Sequence, residues 1–177
     1  MDSPKVHRRL ARRRALQCIF ALDFQKVKNV EQVRRTFLAL PEDDDEDSFD
    51  QSEPSSKPKN ASSVAPTPTT ISVEDQEFAL QLVSGAFVHL DEIDGVIRRF
   101  SRHWKIERIA KAELSVLRLA VYELLYEPEI PLRVSINEAI DLSKEFADDH
   151  SFPFVNGILD AVAKAVSHGE LGIPQQF

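Results

Sequence analysis

Five arginines crowd one short run near the start of the chain, HRRLARRRALQ: Arg8, Arg9, Arg12, Arg13 and Arg14. With Lys5 they face one nearby acid, Asp2. Guanidinium groups at this density suit a polyanion, because each can grip a phosphate and together they can follow a nucleic-acid backbone. Arg118 is a second candidate. It lies close to an apolar stripe with Glu113 and Glu123 nearby, so it either pairs internally, snorkels, or joins an RNA-binding surface. Bond-making chemistry has no comparable signal. His7, His89, His103, His150 and His168 are scattered, with neither an HExxH motif nor an i, i+4 pair. Cys18 belongs to an apolar stripe and reads as a small buried hydrophobe. No CxxC, clustered Cys/His pattern or phosphate-cradling glycine loop occurs, so neither metal nor cofactor is expected.

The 177-residue chain carries a net charge of −7, which conceals a strong asymmetry. Glu42, Asp43, Asp44, Asp45, Glu46, Asp47, Asp50 and Glu53 follow one another without a base between them. An arginine cluster in an otherwise acidic protein points to a local polyanion site. A lone cysteine and the lack of a long apolar run fit a soluble protein of the reducing cytoplasm, with no membrane span and no secretory signal.

Helices must position these groups. Arg8 to Val27 lacks Gly and Pro and reads as one helix with two apolar stripes. Ala11, Ala15, Cys18, Ile19 and Leu22 form the first stripe. Leu16, Phe20 and Phe24 form the second, which is either buried in a bundle or kept for a partner. A short helix with Val30, Val33, Phe37 and Leu38 on its apolar face follows. Pro41 to Thr70 is acidic, then rich in Ser, Pro and Thr, and reads as a disordered loop inside one domain spanning 1–177. It could screen or mimic RNA, or be a tolerated insertion. Helical spacing resumes at Ser72, with one helix through Phe78, Leu82 and Phe87 and another through Leu90 to Phe100. Trp104 reads as a core aromatic. The longest clean repeat runs from Ile109 to Tyr126, stopped by Pro128.

Ser135-Ile136-Asn137-Glu138 has the form of a capping box that opens a helix reaching about Ala147. Ser151 can cap the last helix. Within that helix Asn156-Gly157 imitates a hairpin turn. However, Val155, Ile158, Leu159, Val162 and Val166 recur at helical spacing, so the segment is a helix and the class is all-α. Gly157 then costs about 1 kcal/mol relative to alanine, a cost that close approach by another helix or a ligand would explain.

Three blocks together resemble the NusB family: RRLARRRALQCIFALDF, then WKIERIAKAELSVLRLAVYELLYEPEIPLRVSINEAIDLSKEFA, then FVNGILDAVA. Only residues near 41–70 fall outside the likeness. It implies about seven helices in two small packed bundles, no enzymatic activity, and transcription antitermination through boxA-type single-stranded RNA of ribosomal RNA leaders. It implies partnership with NusE, a small-subunit ribosomal protein, in an RNA polymerase complex that includes NusA and NusG. By the same resemblance Arg8, Arg9, Arg12, Arg13 and Phe154 match RNA-contacting positions. Phe20 and Glu113 match positions at the NusE contact, which would place Leu16, Phe20 and Phe24 under a partner. Three features depart from the family pattern: Phe20 where a tyrosine is usual, His150 where an acid is common, and the long acidic insert. Two rivals remain open. One is a self-associating module, a homodimer with an occluded RNA face; the other is a domain like that appended to ribosomal RNA methyltransferases.

Overall fold

The computed structural model describes residues 4–41, 71–101, 105–147, 152–173 and 175. Most of the insert, together with Trp104, His150 and Ser151, lies outside the described residues. Seven α-helices carry the described chain, with one short 3-10 turn at Ile106–Arg108: α1 (Pro4–Leu22), α2 (Val30–Ala39), α3 (Val73–Val88), α4 (Leu90–Phe100), α5 (Lys111–Tyr126), α6 (Leu132–Phe146) and α7 (Phe152–Ser167). No described helix is long and apolar enough to cross a membrane.

Helices α1 to α3 pack as one bundle and α4 to α7 as a second, with α5 touching α1, α3, α4, α6 and α7. The sequence of α5 explains its central place. Every residue from Leu114 to Leu125 is buried, so this helix has no solvent face. Two of those residues are charged, and each meets an opposite charge from another helix. Glu123 accepts from Arg12 of α1 through Nε at 2.8 Å and Nη2 at 3.0 Å, and from the Ser135 hydroxyl of α6 at 2.8 Å. Arg118 donates to Asp94 of α4 at 2.8 and 2.9 Å and to Asp23, just past α1, at 2.7 Å. The two networks fix how α1, α4 and α6 sit around α5, since an apolar contact tolerates sliding and a bidentate ion pair does not.

The structure corrects four local expectations. Helix α1 ends at Leu22 rather than Val27: the amides of Asp23, Phe24 and Gln25 bond back three residues, tightening the chain into a turn. Asn29 then starts α2, its side chain accepting from the Gln32 amide at 3.0 Å. In α2 only Val33 and Phe37 are buried, while Val30 and Leu38 face solvent. The Ser135–Glu138 capping box does not form. Pro131 sets the start of α6, with φ −57°, so Ser135 already lies inside the helix and turns its hydroxyl to Glu123.

The fourth correction concerns glycine. A Cβ on Gly157 would meet nothing within 4 Å among the described residues, so no neighbouring helix accounts for it. Gly85 of α3 is the close-packed glycine instead, because a Cβ there would overlap the Tyr122 ring. That ring stacks on Tyr126, which stacks in turn on His89. The chain end also folds back: Gly172, at φ +58°, brings the Ile173 amide to the Leu125 carbonyl at 3.3 Å. The amide of the Gln175 side chain reaches the Leu124 carbonyl, so two end-of-helix acceptors of α5 are satisfied.

Candidate nucleic-acid interface

The arginines of α1 fan out around the helix because consecutive residues turn by about 100°. Arg14 points to α2, with its guanidinium over the Phe37 ring and donating to the carbonyls of Leu40 and Pro41. Arg12 points inward and is 5% exposed, fully occupied by Glu123 and the Arg8 carbonyl. Arg8, Arg9 and Arg13 remain near the surface. Arg8 lies over the Phe78 ring at 4.1 Å and 3.7 Å from Asp75. Arg9 meets Asp141 at 3.4 Å, and Arg13 meets Glu145 at 3.0 Å while its guanidinium stands 5.6 Å above the Phe146 ring. The Arg9 and Arg13 pairs, partly exposed on both sides, are worth about 0–1 kcal/mol, so a phosphate can take the place of the carboxylate there, whereas Asp75 beside Arg8 is buried.

Two of the arginines expected among the RNA contacts are engaged inside the protein: Arg12 by the buried Glu123 and the Arg8 carbonyl, and Arg118 by Asp94 and Asp23, each 13% exposed. Burial alone would lower the Arg118 pKa, but the hydrogen bonds and charges of Asp94 and Asp23 outweigh it and hold the group charged. Their physical role is to join helices. Cys18 is buried and its thiol is pushed up to about 12, chiefly by desolvation, against a smaller opposing pull from Arg14. A thiol held protonated is a poor nucleophile.

The exposed arginines connect to the start of the last helix. Asp141, the partner of Arg9, also lies 3.8 Å from Lys144, and the Lys144 ammonium stands 5.5 Å from the centre of the Phe152 ring. Phe154, two residues on, is half-buried and packs against the core. Lys144 and Phe152 were not among the residues expected from sequence. Only the placement of α6 beside α1 brings them to the arginines, though the exposed aromatic two positions before Phe154 was visible.

The second expected surface adjoins the first. Leu16, Gln17 and Phe20 of α1, Ala112 and Ser115 of α5, and Phe146 of α6 line an apolar groove of about 300 Å³. Leu16 is its buried floor, while Phe20 is 39% and Phe24 68% exposed, their rings 5.2 Å apart. Glu113 is half-buried beside Ala112 in the first turn of α5. Phe146 belongs to both surfaces, since it lines the groove and also carries Arg13 above its ring.

Comparison with known proteins places this geometry in context. The model described as "NusB family" matches residues 9–164. The transcription antitermination protein NusB of Oleidesulfovibrio alaskensis is 38% identical over 164 residues, 93% of this chain and 92% of its own. The protein of the same description from Myxococcus xanthus is 36% identical over 160 residues, 90% of this chain and 96% of its own. Among solved structures, T. maritima NusB superposes with a TM-score of 0.67 at 30% identity, covering 93% of both chains. A complex described as antitermination factors NusB and NusE with double-stranded RNA gives 0.63 at 24% identity, covering 90% of this chain and 98% of that one. The last likeness concerns the fold.

Proposed function

The chain belongs to the NusB family, and from that premise we propose that it is a transcription antitermination factor holding RNA on the arginine face of α1 and a protein partner in the adjoining groove. The RNA is a boxA-type single strand of ribosomal RNA leaders. Arg8, Arg9 and Arg13 supply phosphate contacts, and Phe154 stands at the edge of that face. The partner is NusE, seated on Phe20 and Phe24 over Leu16, with Glu113 at the rim. NusA, NusG and RNA polymerase complete the assembly in which the pair acts.

The observation that carries this reading is the position of Phe146. One ring underlies Arg13 and also lines the apolar groove, so RNA and protein bound at the two places would abut. Contiguous sites allow each ligand to raise the affinity for the other, a coupling that must be reciprocal.

A mobility shift with boxA RNA and with a scrambled control, each with and without NusE, tests the proposal. NusE should tighten boxA binding selectively. Equal affinity for both RNAs in the presence of NusE contradicts it. Phe20→Asp should abolish the NusE effect and leave binding of RNA alone intact, with light scattering run alongside to register any second copy of the chain on the same face.

A further inference from the structure

A cavity of about 520 Å³ opens between the start of α1, the connection from α5 to α6, and the first two turns of α6. Its volume is within the range of about 300–1,000 Å³ typical of ligand sites. Two arginines of α1 line it, but their guanidiniums are engaged elsewhere. Arg12 is sealed against Glu123, and Arg8 stands 4.1 Å over the Phe78 ring and 3.7 Å from Asp75.

The rest of the lining is of two kinds. Ile130, Pro131 and Val134 supply an apolar wall, with Val134 itself exposed. Glu129 and Glu138 supply two carboxylates, neither with a hydrogen bond or ion pair among the described residues. The Oε2 atom of Glu138 is buried without a donor, a costly state for a carboxylate oxygen. Glu123 shows the contrast, because three donors converge on it. Asp75 and Glu123 already balance Arg8 and Arg12, so the two unpaired carboxylates leave the cavity acidic beside the arginine cluster.

We propose that this cavity is a docking site for an arginine side chain presented by a basic segment of a protein partner. Unpaired carboxylates beside an apolar wall call for a cation on an aliphatic stem. A guanidinium meets the first requirement best, because its fork of five donors can satisfy both Glu138 and Glu129. Its methylenes then lie along Ile130, Pro131 and Val134. The same two carboxylates repel a phosphate backbone, so the site adds a protein contact next to the arginine face without competing for what that face binds. The proposal stands independently of the RNA reading above.

The test is an NMR titration of the isotope-labelled full chain with the blocked tripeptide acetyl-Gly-Arg-Gly-amide and with its citrulline counterpart, which has the same shape and no charge. The arginine peptide should shift the backbone amides of residues 129–138 with millimolar affinity, and the citrulline peptide should leave them in place. Glu138→Gln should weaken the arginine peptide roughly 10-fold, the loss expected for a charge-assisted hydrogen bond, with an unchanged melting temperature. The same variant should bind boxA RNA as the parent does. Equal shifts from the two peptides overturn the proposal, as does arginine binding that Glu138→Gln leaves intact. A loss of boxA RNA affinity in Glu138→Gln also overturns it, because a nucleotide would then be the occupant. Spermidine provides the last arm: if it shifts these amides and the arginine peptide does not, the occupant is a free polyamine and the proposal fails.

Discussion

Arg12 and Arg13 are adjacent in the chain, yet their guanidiniums face opposite environments. Arg12 is sealed against Glu123 with almost no solvent contact, while Arg13 lies near the surface above Phe146, paired to a Glu145 carboxylate that is itself a third exposed. Arg118 comes near the Arg12 arrangement, although its acids Asp94 and Asp23 are each 13% exposed. Arg9 repeats that of Arg13, with a carboxylate distance of 3.4 Å, whereas Arg8 is itself exposed but stands 3.7 Å from Asp75, which is buried. A buried pair cannot be exchanged for a phosphate without leaving a carboxylate uncompensated in the interior, whereas an exposed pair can. One helix thus carries both the joint that fastens it to α5 and charge left within reach of a ligand.

The difference can be broken experimentally at several points. The largest effect is expected for Arg12→Ala, which strands the buried Glu123. It should cost about 3–5 kcal/mol in urea unfolding, and Arg118→Ala less, because Asp94 and Asp23 keep contact with solvent and Asp23 keeps Lys111. A cost below about 1 kcal/mol for Arg12→Ala would place that arginine with the exposed pairs. Ser135→Ala removes one of the three hydrogen bonds to the Glu123 carboxylate and should cost about 1.5–3 kcal/mol. Glu138→Ala should change stability by no more than about 0.5 kcal/mol, whereas a true capping box would make both residues count. Gly85→Ala should cost about 1–3 kcal/mol as the Tyr122 ring is forced aside.

The smallest effect lies at alkaline pH. Tyr122 is pushed up to about 12, first by burial and then by Glu127. A folded-state pKa above the ordinary value of 10 gives stability that is complete below pH 10 and lost as pH rises through 12. Cys18 acts in the same direction from its ordinary value of 9. Unfolding measured between pH 8 and 12 should show a falling limb, and Tyr122→Phe should flatten its upper part.

The helices and their order were legible because apolar spacing is set by helix geometry, and α5 in particular showed the longest clean repeat, though its stripe gave no sign that Ser115, Arg118 and Glu123 are buried too. The helix reading of FVNGILDAVAKAV likewise followed from Val155, Ile158, Leu159, Val162 and Val166, all of which are buried. Helix ends were less legible. Ser135 has the residue type of a cap, but Pro131 starts the helix earlier, and only the position of Glu123 shows what the hydroxyl bonds. The arginine cluster was visible as a cluster and not as two populations, since which guanidinium finds a buried acid depends on the packing of α5 and α6 against α1. Lys144 and Phe152 were missed for the same reason: they are tied to Arg9 only through the Arg9–Asp141 pair, a contact across more than a hundred residues of chain.

The central claim is that the exposed arginines, and not the buried ones, meet RNA phosphates. Its most direct test is the salt dependence of boxA RNA binding by the full chain and by Arg9→Ala/Arg13→Ala. Removing two phosphate contacts should make the log–log slope shallower by about 1.4, at about 0.7 per single-strand contact, with the melting temperature little changed. An identical slope in the two proteins would contradict the assignment.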